Sequence, residues 1–272
     1  MQDQYRKFYE SVGKHYPEDR IVYSTLSGLL RKKWIFAKMK TMPPGNLLDC
    51  GSNVGRLSSE WKKGTVFGID ISLSVLQKGK KIFPKTNFIQ GDLRKIEFIK
   101  PNSIDNAITC EVLEHIDRPI DFLKGLYGII KKDGLVLITV PCYTFFRPRL
   151  VSLGIMKSYG VLEGTEGKLF LHTAYKTEEL VRMASQVGFK VTEKGYFEFE
   201  LRGWLKLLTL VEQVFGLASG RFFPGSRLNY MVARFIERLK INLFFILETF
   251  GFSKLLKKFF KEGRRSYIMA KK

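Results

Sequence analysis

The chain has 272 residues, enough for one α/β domain of about 200 residues and an attachment, and its 45% apolar content is ordinary for a globular protein. The net charge of +20 is not ordinary and predicts attraction to anionic partners, either a membrane surface or a nucleic acid. No 18-residue window is free of charge and Cys50, Cys110 and Cys142 share no metal-ligand spacing, so composition argues against a transmembrane helix and against a cysteine metal cluster.

The charge is uneven. Residues 201–272 carry 15 Lys or Arg against 4 Asp or Glu, a net of +11, and the remaining 200 residues carry 31 against 22, a net of +9. The polar start Met1-Gln2-Asp3-Gln4 lacks the apolar core of a signal peptide. The three cysteines fall near expected strand ends and read as reduced. A cytoplasmic protein, peripheral on the cytoplasmic membrane face if membrane-bound, is the expectation.

Residues 4–40 read as two helices broken at Pro17, the first with Tyr5, Phe8, Tyr9 and Val12 at helical spacing, the second from about Ile21 to Met39. Strands are expected at about 46–50, 65–70, 86–90, 104–110 and 134–140, and helices at about 54–62, 72–82 and 119–131. Short apolar runs alternating with helices argue a parallel sheet with helices on both faces. Arg94 to Pro101 suits a loop or a single helical turn. Residues 142–175 lack clear periodicity. They hold Tyr143, Arg147, Arg149, Tyr159 and His172, and leave the sheet at its carboxyl edge, so they are the expected substrate-facing lid. Thr177 to Val187 reads as a helix capped by Thr177, and Phe189 to Leu201 as a strand.

Residues 202–262 depart from this pattern. Trp204 to Phe215 and Leu228 to Phe250 form two apolar stripes flanked by Arg221, Arg227, Arg234, Arg238, Lys240, Lys254, Lys257, Lys258 and Lys261. Bulky apolar residues beside Lys and Arg suit a helix lying in a bilayer interface. Packing on the chain's own domain or on a second subunit is the bland alternative, and RNA binding a third. Ser266 to Lys271 returns as a last, antiparallel strand, which makes 202–262 an insertion.

The chemistry concentrates at strand ends. Leu47-Leu48-Asp49-Cys50-Gly51-Ser52-Asn53-Val54-Gly55 places a strand, a glycine turn and an expected helix start in succession. Ligands of open parallel sheets bind at the carboxyl ends of strands. Asp70 closes a second strand 21 positions after Asp49, placed to accept both hydroxyls of a ribose, though a helix cap before Ser72 is the plain alternative. Gly91-Asp92-Leu93 follows the third strand and Glu111-Val112-Leu113-Glu114-His115 the fourth.

Taken in order, Asp49 to Gly55, Gly68-Ile69-Asp70, Gly91-Asp92-Leu93 and Glu111 to Ile116 resemble the successive motifs of class I S-adenosylmethionine-dependent methyltransferases. The Glu-Val-Leu-Glu-His run is most similar to the branch of ubiquinone-biosynthesis O-methyltransferases and other small-molecule or lipid methyltransferases. The resemblance covers about Leu47 to Phe189. It implies a Rossmann-like, seven-stranded, mostly parallel sheet with helices on both faces, plus a basic helical insertion before the last strand. The division would be 1–45 as helical cover, 46–201 with 264–272 as methyltransferase domain, and 202–263 as insertion. Asn53 stands where the family usually has Gly; Asn tolerates left-handed backbone better than most residues.

The resemblance implies S-adenosyl-L-methionine as cofactor. Gly51, Asn53 and Gly55 would approach its methionine part, with Asp49 orienting that turn. Asp70 and Ile71 would border the ribose, Asp92 and Leu93 the adenine, and Glu111 the donor methyl. His115 is the candidate base, since imidazole titrates near neutrality. In similar O-methyltransferases such carboxylates and histidine also bind a divalent cation, which Glu111, Glu114 and His115 would do here only if they converge; no resident metal is assigned. The expected reaction methylates a lipid- or quinone-like small molecule at a membrane surface. RNA or protein methylation is the runner-up, weakened by the absence of an Asn-Pro-Pro-Tyr-like motif after strand four. A non-catalytic membrane module on the same fold is another. A nicotinamide enzyme fits poorly, because Ser58 stands where a dinucleotide turn wants glycine.

Overall fold

The structure, a computed structural model, describes residues 2–143, 147–201 and 227–272. Three helices precede the sheet: α1 (Gln2–His15), α2 (Glu18–Tyr23) and α3 (Leu26–Thr41). Pro17 separates the first two, as its missing N–H and fixed φ require. A further break at Ser24–Thr25 divides the expected second helix. There Thr25 leaves helical geometry and its Oγ1 accepts from Gly28 N at 3.1 Å, capping α3.

The core alternates as β1 (Leu47–Cys50), β2 (Val66–Asp70), α4 (Leu73–Ile82), β3 (Asn87–Gln90), β4 (Ile104–Cys110), α5 (Pro119–Ile129) and β5 (Ile130–Pro141). After a hairpin of β6 (Leu150–Ser152) and β7 (Leu169–Leu171) come α6 (Thr177–Gln186), β8 (Lys190–Phe197), α7 (Arg227–Thr249), α8 (Phe252–Phe259) and β9 (Arg265–Lys271). The main sheet has seven strands in the order β3-β2-β1-β4-β5-β9-β8. All neighbours run parallel except those of β9, which is antiparallel to both β5 and β8.

Strand periodicity sends alternate side chains to opposite layers. Leu48, Ile69, Ala107, Val136 and Ile138 pack with Phe122 and Leu126 of α5 and Leu180 of α6. Leu47, Val66, Ile108, Leu137 and Met269 pack with Ile35 and Met39 of α3. Trp34 of α3 stacks on Phe197 at a centroid distance of 4.1 Å, which fixes α3 over β8 and β9.

Several boundaries differ from expectation. No α-helix forms over 54–62. Gly55 has φ +80 and the chain keeps only a 3₁₀ turn at Ser58–Glu60, so the spacing of Val54, Leu57 and Trp61 reports burial without helix. Trp61 instead donates its indole N–H to Gly45 O at 2.9 Å. The helix expected to 131 ends at Ile129, and Asp133 with φ +67 bends the chain into the main run of β5. Lys176, not Thr177, holds the N-cap position of α6, its backbone N donating to Glu179 Oε2 at 2.7 Å; Thr177 Oγ1 donates to Gly195 O at 2.8 Å. β8 stops at Phe197, where Glu198 turns to φ +60.

The stretch Trp204–Phe215 lies outside the described residues. On α7, Phe244 and Ile241 pack against Leu26 and Leu30 of α3, and Glu237 accepts from Leu26 N at the start of that helix. The opposite side of α7 shows Phe235, Leu239, Phe245 and Ile246 to solvent, followed by Phe250, and α8 adds Leu255 and Phe259. No helix among the described residues is long and apolar enough to cross a membrane.

Candidate active site

One cleft opens at the carboxyl ends of β1, β2, β3 and β4, and the N-terminal helices form its cover. Asp49, Gly51, Asn53, Asp70, Ile71, Asp92, Leu93, Glu111 and His115 all line it. Gly55 does not; a Cβ there would meet the Phe88 ring at 2.9 Å, so this glycine packs beneath the turn. Gly51 has φ +71, and a Cβ on it would lie 2.4 Å from Val112 Cγ2. The turn therefore needs glycine to bring backbone beside the loop that follows β4.

Asn53 adopts φ +49, the left-handed geometry expected of a glycine substitute. Its Oδ1 accepts from Val54 N at 2.8 Å, and its Nδ2 donates to Glu18 Oε2 at 3.0 Å. Its backbone N donates to Asp70 Oδ2 at 2.9 Å, while Ser72 N donates to Asp70 Oδ1 at 3.0 Å. Asp70 thus holds the next turn and still faces the cleft. Burial raises its pKa, against those backbone donors. Asp49 is 3% exposed and its Oδ2 has no hydrogen-bond partner. Burial pushes its carboxyl up to about 7, with Ser58 opposing and Asp70 adding to the rise.

Asp92 stands at the β3 end, but Arg94 occupies both its oxygens. The Arg94 N and Nε lie 3.0 Å from Oδ1, and Nη2 lies 2.6 Å from Oδ2. Burial disfavours ionisation of Asp92, yet Arg94 outweighs it and lowers the pKa. Any hydrogen bond that Asp92 accepts from a bordering adenine would therefore compete with Arg94. That guanidinium lies 3.8 Å from the Tyr5 ring centroid and so ties α1 to the β3 end. Tyr5, Tyr9 and Tyr16 of the cover all line the cleft.

Glu111 has φ +61 and its carboxylate is fully engaged. Thr139 Oγ1 donates to Oε1 at 3.1 Å, and Arg31 and Arg265 approach Oε2 at 3.2 and 2.6 Å. Glu111, Glu114 and His115 accordingly do not gather as a metal set. The cluster whose donor atoms come within 4.8 Å of one another is Glu114, His115 and His172.

His115 ends the 3₁₀ turn Leu113–His115. Its Nδ1–H donates to Leu171 O at 2.9 Å, since a carbonyl only accepts, which leaves the Nε2 lone pair as the basic site. Nε2 lies 3.8 Å from Glu114 Oε1. Burial lowers the His115 pKa, against Leu171 O and Glu111, so the imidazole is neutral at pH 7. Glu114 is 1% exposed with Oε2 unpartnered, and burial followed by Glu111 drives its pKa well up.

The long excursion 142–175 does not line the cleft among the described residues. It braces the cover and His115 from behind. Leu153 and Val161 pack on Phe8 and Val12 of α1, β7 supplies the Leu171 carbonyl, and Tyr143 OH lies 2.8 Å from His172 Nε2. Sequence reasoning missed Glu18, Asp19, Tyr23, Arg31 and Arg56, which also line the cleft. In the sequence Arg31 is one cation among Lys32, Lys33, Lys38 and Lys40 of a basic stretch, and nothing local distinguishes it.

The acids in the lining are Glu18, Asp19, Asp49, Asp70, Asp92 and Glu111, against Arg31 and Arg56. In a chain of net charge +20 this cleft is acidic, and it suits a ligand with positive charge. Residues 48–138 match a family described as methyltransferase domain. Over residues 48–138 the chain carries a domain of the class I S-adenosylmethionine-dependent methyltransferase kind. It is 30% identical over 105 residues to the malonyl-[acyl-carrier protein] O-methyltransferase of Halalkalibacterium halodurans, covering 35% of this chain and 39% of that one. It is 26% identical over 181 residues to the ubiquinone biosynthesis O-methyltransferase of Glaesserella parasuis, covering 62% and 75%. The chain thus spans well under half of the first relative and three quarters of the second. The solved structure of a putative sarcosine dimethylglycine methyltransferase from Galdieria sulphuraria shares the fold, with a TM-score of 0.58 at 11% identity over 99% and 98% of the two chains. The cleft lies over the first strands, where this chain places Asp49, Asp70 and the Gly51 turn.

Proposed function

We propose that the chain transfers a methyl group from S-adenosylmethionine to a small-molecule, lipid- or quinone-like acceptor at an anionic membrane surface. The acidic lining of the cleft carries the cofactor half of this reading. A donor bearing a sulfonium and an ammonium fits six carboxylates met by only four guanidiniums, Arg31, Arg56, Arg94 and Arg265, whereas the diphosphate of a dinucleotide does not. The unpartnered Asp49 Oδ2 and the close approach at Gly51 support the same fit.

The bound cofactor supplies an electrophilic methyl on sulfur. The chain holds the reactants in line, which furnishes much of the acceleration in such a displacement. Asp70 binds the ribose, Gly51 and Asn53 accept the methionine part, and Arg31 is the cation available to an α-carboxylate. His115 Nε2, with Nδ1 held by Leu171 O, would take the proton of an acceptor hydroxyl.

The outward face of α7 and α8 supports the membrane half. Phe245, Ile246, Phe250 and Phe259 are each more than half exposed, and exposed Arg238, Lys254, Lys258 and Lys261 accompany them. That mixture favours a bilayer over RNA, which would leave the phenyl groups in water. The proposed division keeps 1–45 as cover and 202–263 as the membrane-facing insertion. The test incubates the protein with a deuterated-methyl donor and a total lipid extract. Labelled methyl in an isoprenoid, quinone or lipid fraction supports the reading; label found only in RNA or protein overturns its acceptor class.

A further inference from the structure

Glu18 opens α2, a helix outside every strand-end motif, yet it reaches the cleft wall. The side chain is exposed and forms part of the cleft lining. Through Asn53 it is joined to the ribose-side carboxylate: Nδ2 of Asn53 donates to Glu18 Oε2 at 3.0 Å and N of Asn53 donates to Asp70 Oδ2 at 2.9 Å. Enclosure in the cleft, and then the charge of Asp70, raise the Glu18 pKa; Arg31 and Asn53 only partly offset them. Arg31 is already shared with Glu111. Asp49, also in the lining, is buried with its Oδ2 unpartnered. The carboxylates here exceed the cations that could neutralise them, and a positive ligand group relieves the excess.

We propose that Glu18 is a further cofactor-binding residue, its carboxylate the counter-charge for the donor's sulfonium, so that the helical cover grips the charged donor more tightly than the neutral thioether product. The proposal rests on the S-adenosylmethionine reading and deepens it. When the acceptor oxygen bonds to the methyl carbon, the carbon–sulfur bond breaks and its electron pair stays on sulfur. The sulfur loses its positive charge while the ammonium and carboxylate of the amino-acid part are unchanged. The attraction between Glu18 and the sulfur end therefore lapses with transfer, and the cover is freed to let the product go. A purely mechanical role, with Glu18 latching α2 onto Asn53, would serve both ligands equally.

Calorimetry on the full chain with S-adenosylmethionine and with S-adenosylhomocysteine separates these roles. Glu18→Gln keeps an acceptor for Asn53 and removes the charge. It is expected to weaken donor binding about tenfold and product binding by less than about threefold, as loss of one charge–charge interaction in a screened cleft predicts. Glu18→Asp is expected to restore most of the preference. Equal losses for both ligands, or no loss for either, would overturn the proposal while leaving the cofactor reading intact. A wild-type chain that binds neither ligand would instead overturn the cofactor reading beneath it. Melting of the unliganded variants checks that each is folded.

Discussion

At Asp49 a structural and a functional demand meet in one carboxyl. The side chain is buried beneath the first turn, and its pKa stands near 7 against 3.8 when unperturbed. A raised folded-state pKa means the native chain binds more protons than the unfolded chain between about pH 4 and 7. Stability from this group is full below pH 4 and is lost as pH rises through 7. Asp49→Asn should therefore gain stability relative to wild type as pH increases across that window, read from urea midpoints. The cationic donor prefers ionised Asp49, so wild-type affinity should rise through pH 7 and the Asp49→Asn affinity should stay low and flat. His115 makes a separate prediction. With Nδ1 fixed by Leu171 O, replacing the ring by Gln removes the basic Nε2. His115→Gln should lower kcat about a hundredfold or more with donor affinity nearly unchanged. An unaltered kcat would remove the base from the scheme.

At the scale of elements, the sequence exposed most of the sheet and little of what covers it. Short, largely apolar runs marked β1 and β2, and β4 read as a strand although Asp105, Asn106 and Thr109 interrupt its apolar residues. Asp49, Asp70 and Glu111 were legible because each follows such a run at the sheet's carboxyl edge. The segment 54–62 misled, because Val54 and Trp61 are buried at helical spacing while Gly55 at φ +80 forbids the helix. The 142–175 excursion misled in another way. Its aromatics pack on α1 and behind His115, a long-range contact that no local pattern encodes. Glu18 and Arg31 were hidden for the same reason: they reach the cleft from helices whose own periodicity reports only amphipathicity. The α7 stripe was legible as apolar beside basic, but not which side faces out. Phe244 turns in and Phe245, Ile246 and Phe250 turn out. Replacing those three outward residues by Ser should weaken binding to anionic vesicles at least about tenfold in co-sedimentation, since each buries apolar area worth on the order of 1–2 kcal/mol. Unchanged binding would return α7 and α8 to a packing role.

Across the whole molecule two charge fields oppose each other. The chain is strongly basic, with more than half of the excess in residues 201–272, a net of +11 against +9 elsewhere. Its cleft is acidic. In the proposed reading the outer field would draw the protein to an anionic surface, and the inner one would select a cationic cofactor from among nucleotides that are mostly anions. Neither follows from fold, since the same sheet serves dinucleotides elsewhere. Titration calorimetry of the full chain with S-adenosylmethionine, with NAD, and again with the Asp70→Ala variant tests this directly. The account predicts saturable one-to-one heat for S-adenosylmethionine, none for NAD, and loss of the first signal in the variant. Heat from NAD, or S-adenosylmethionine affinity that survives the loss of Asp70, would contradict it.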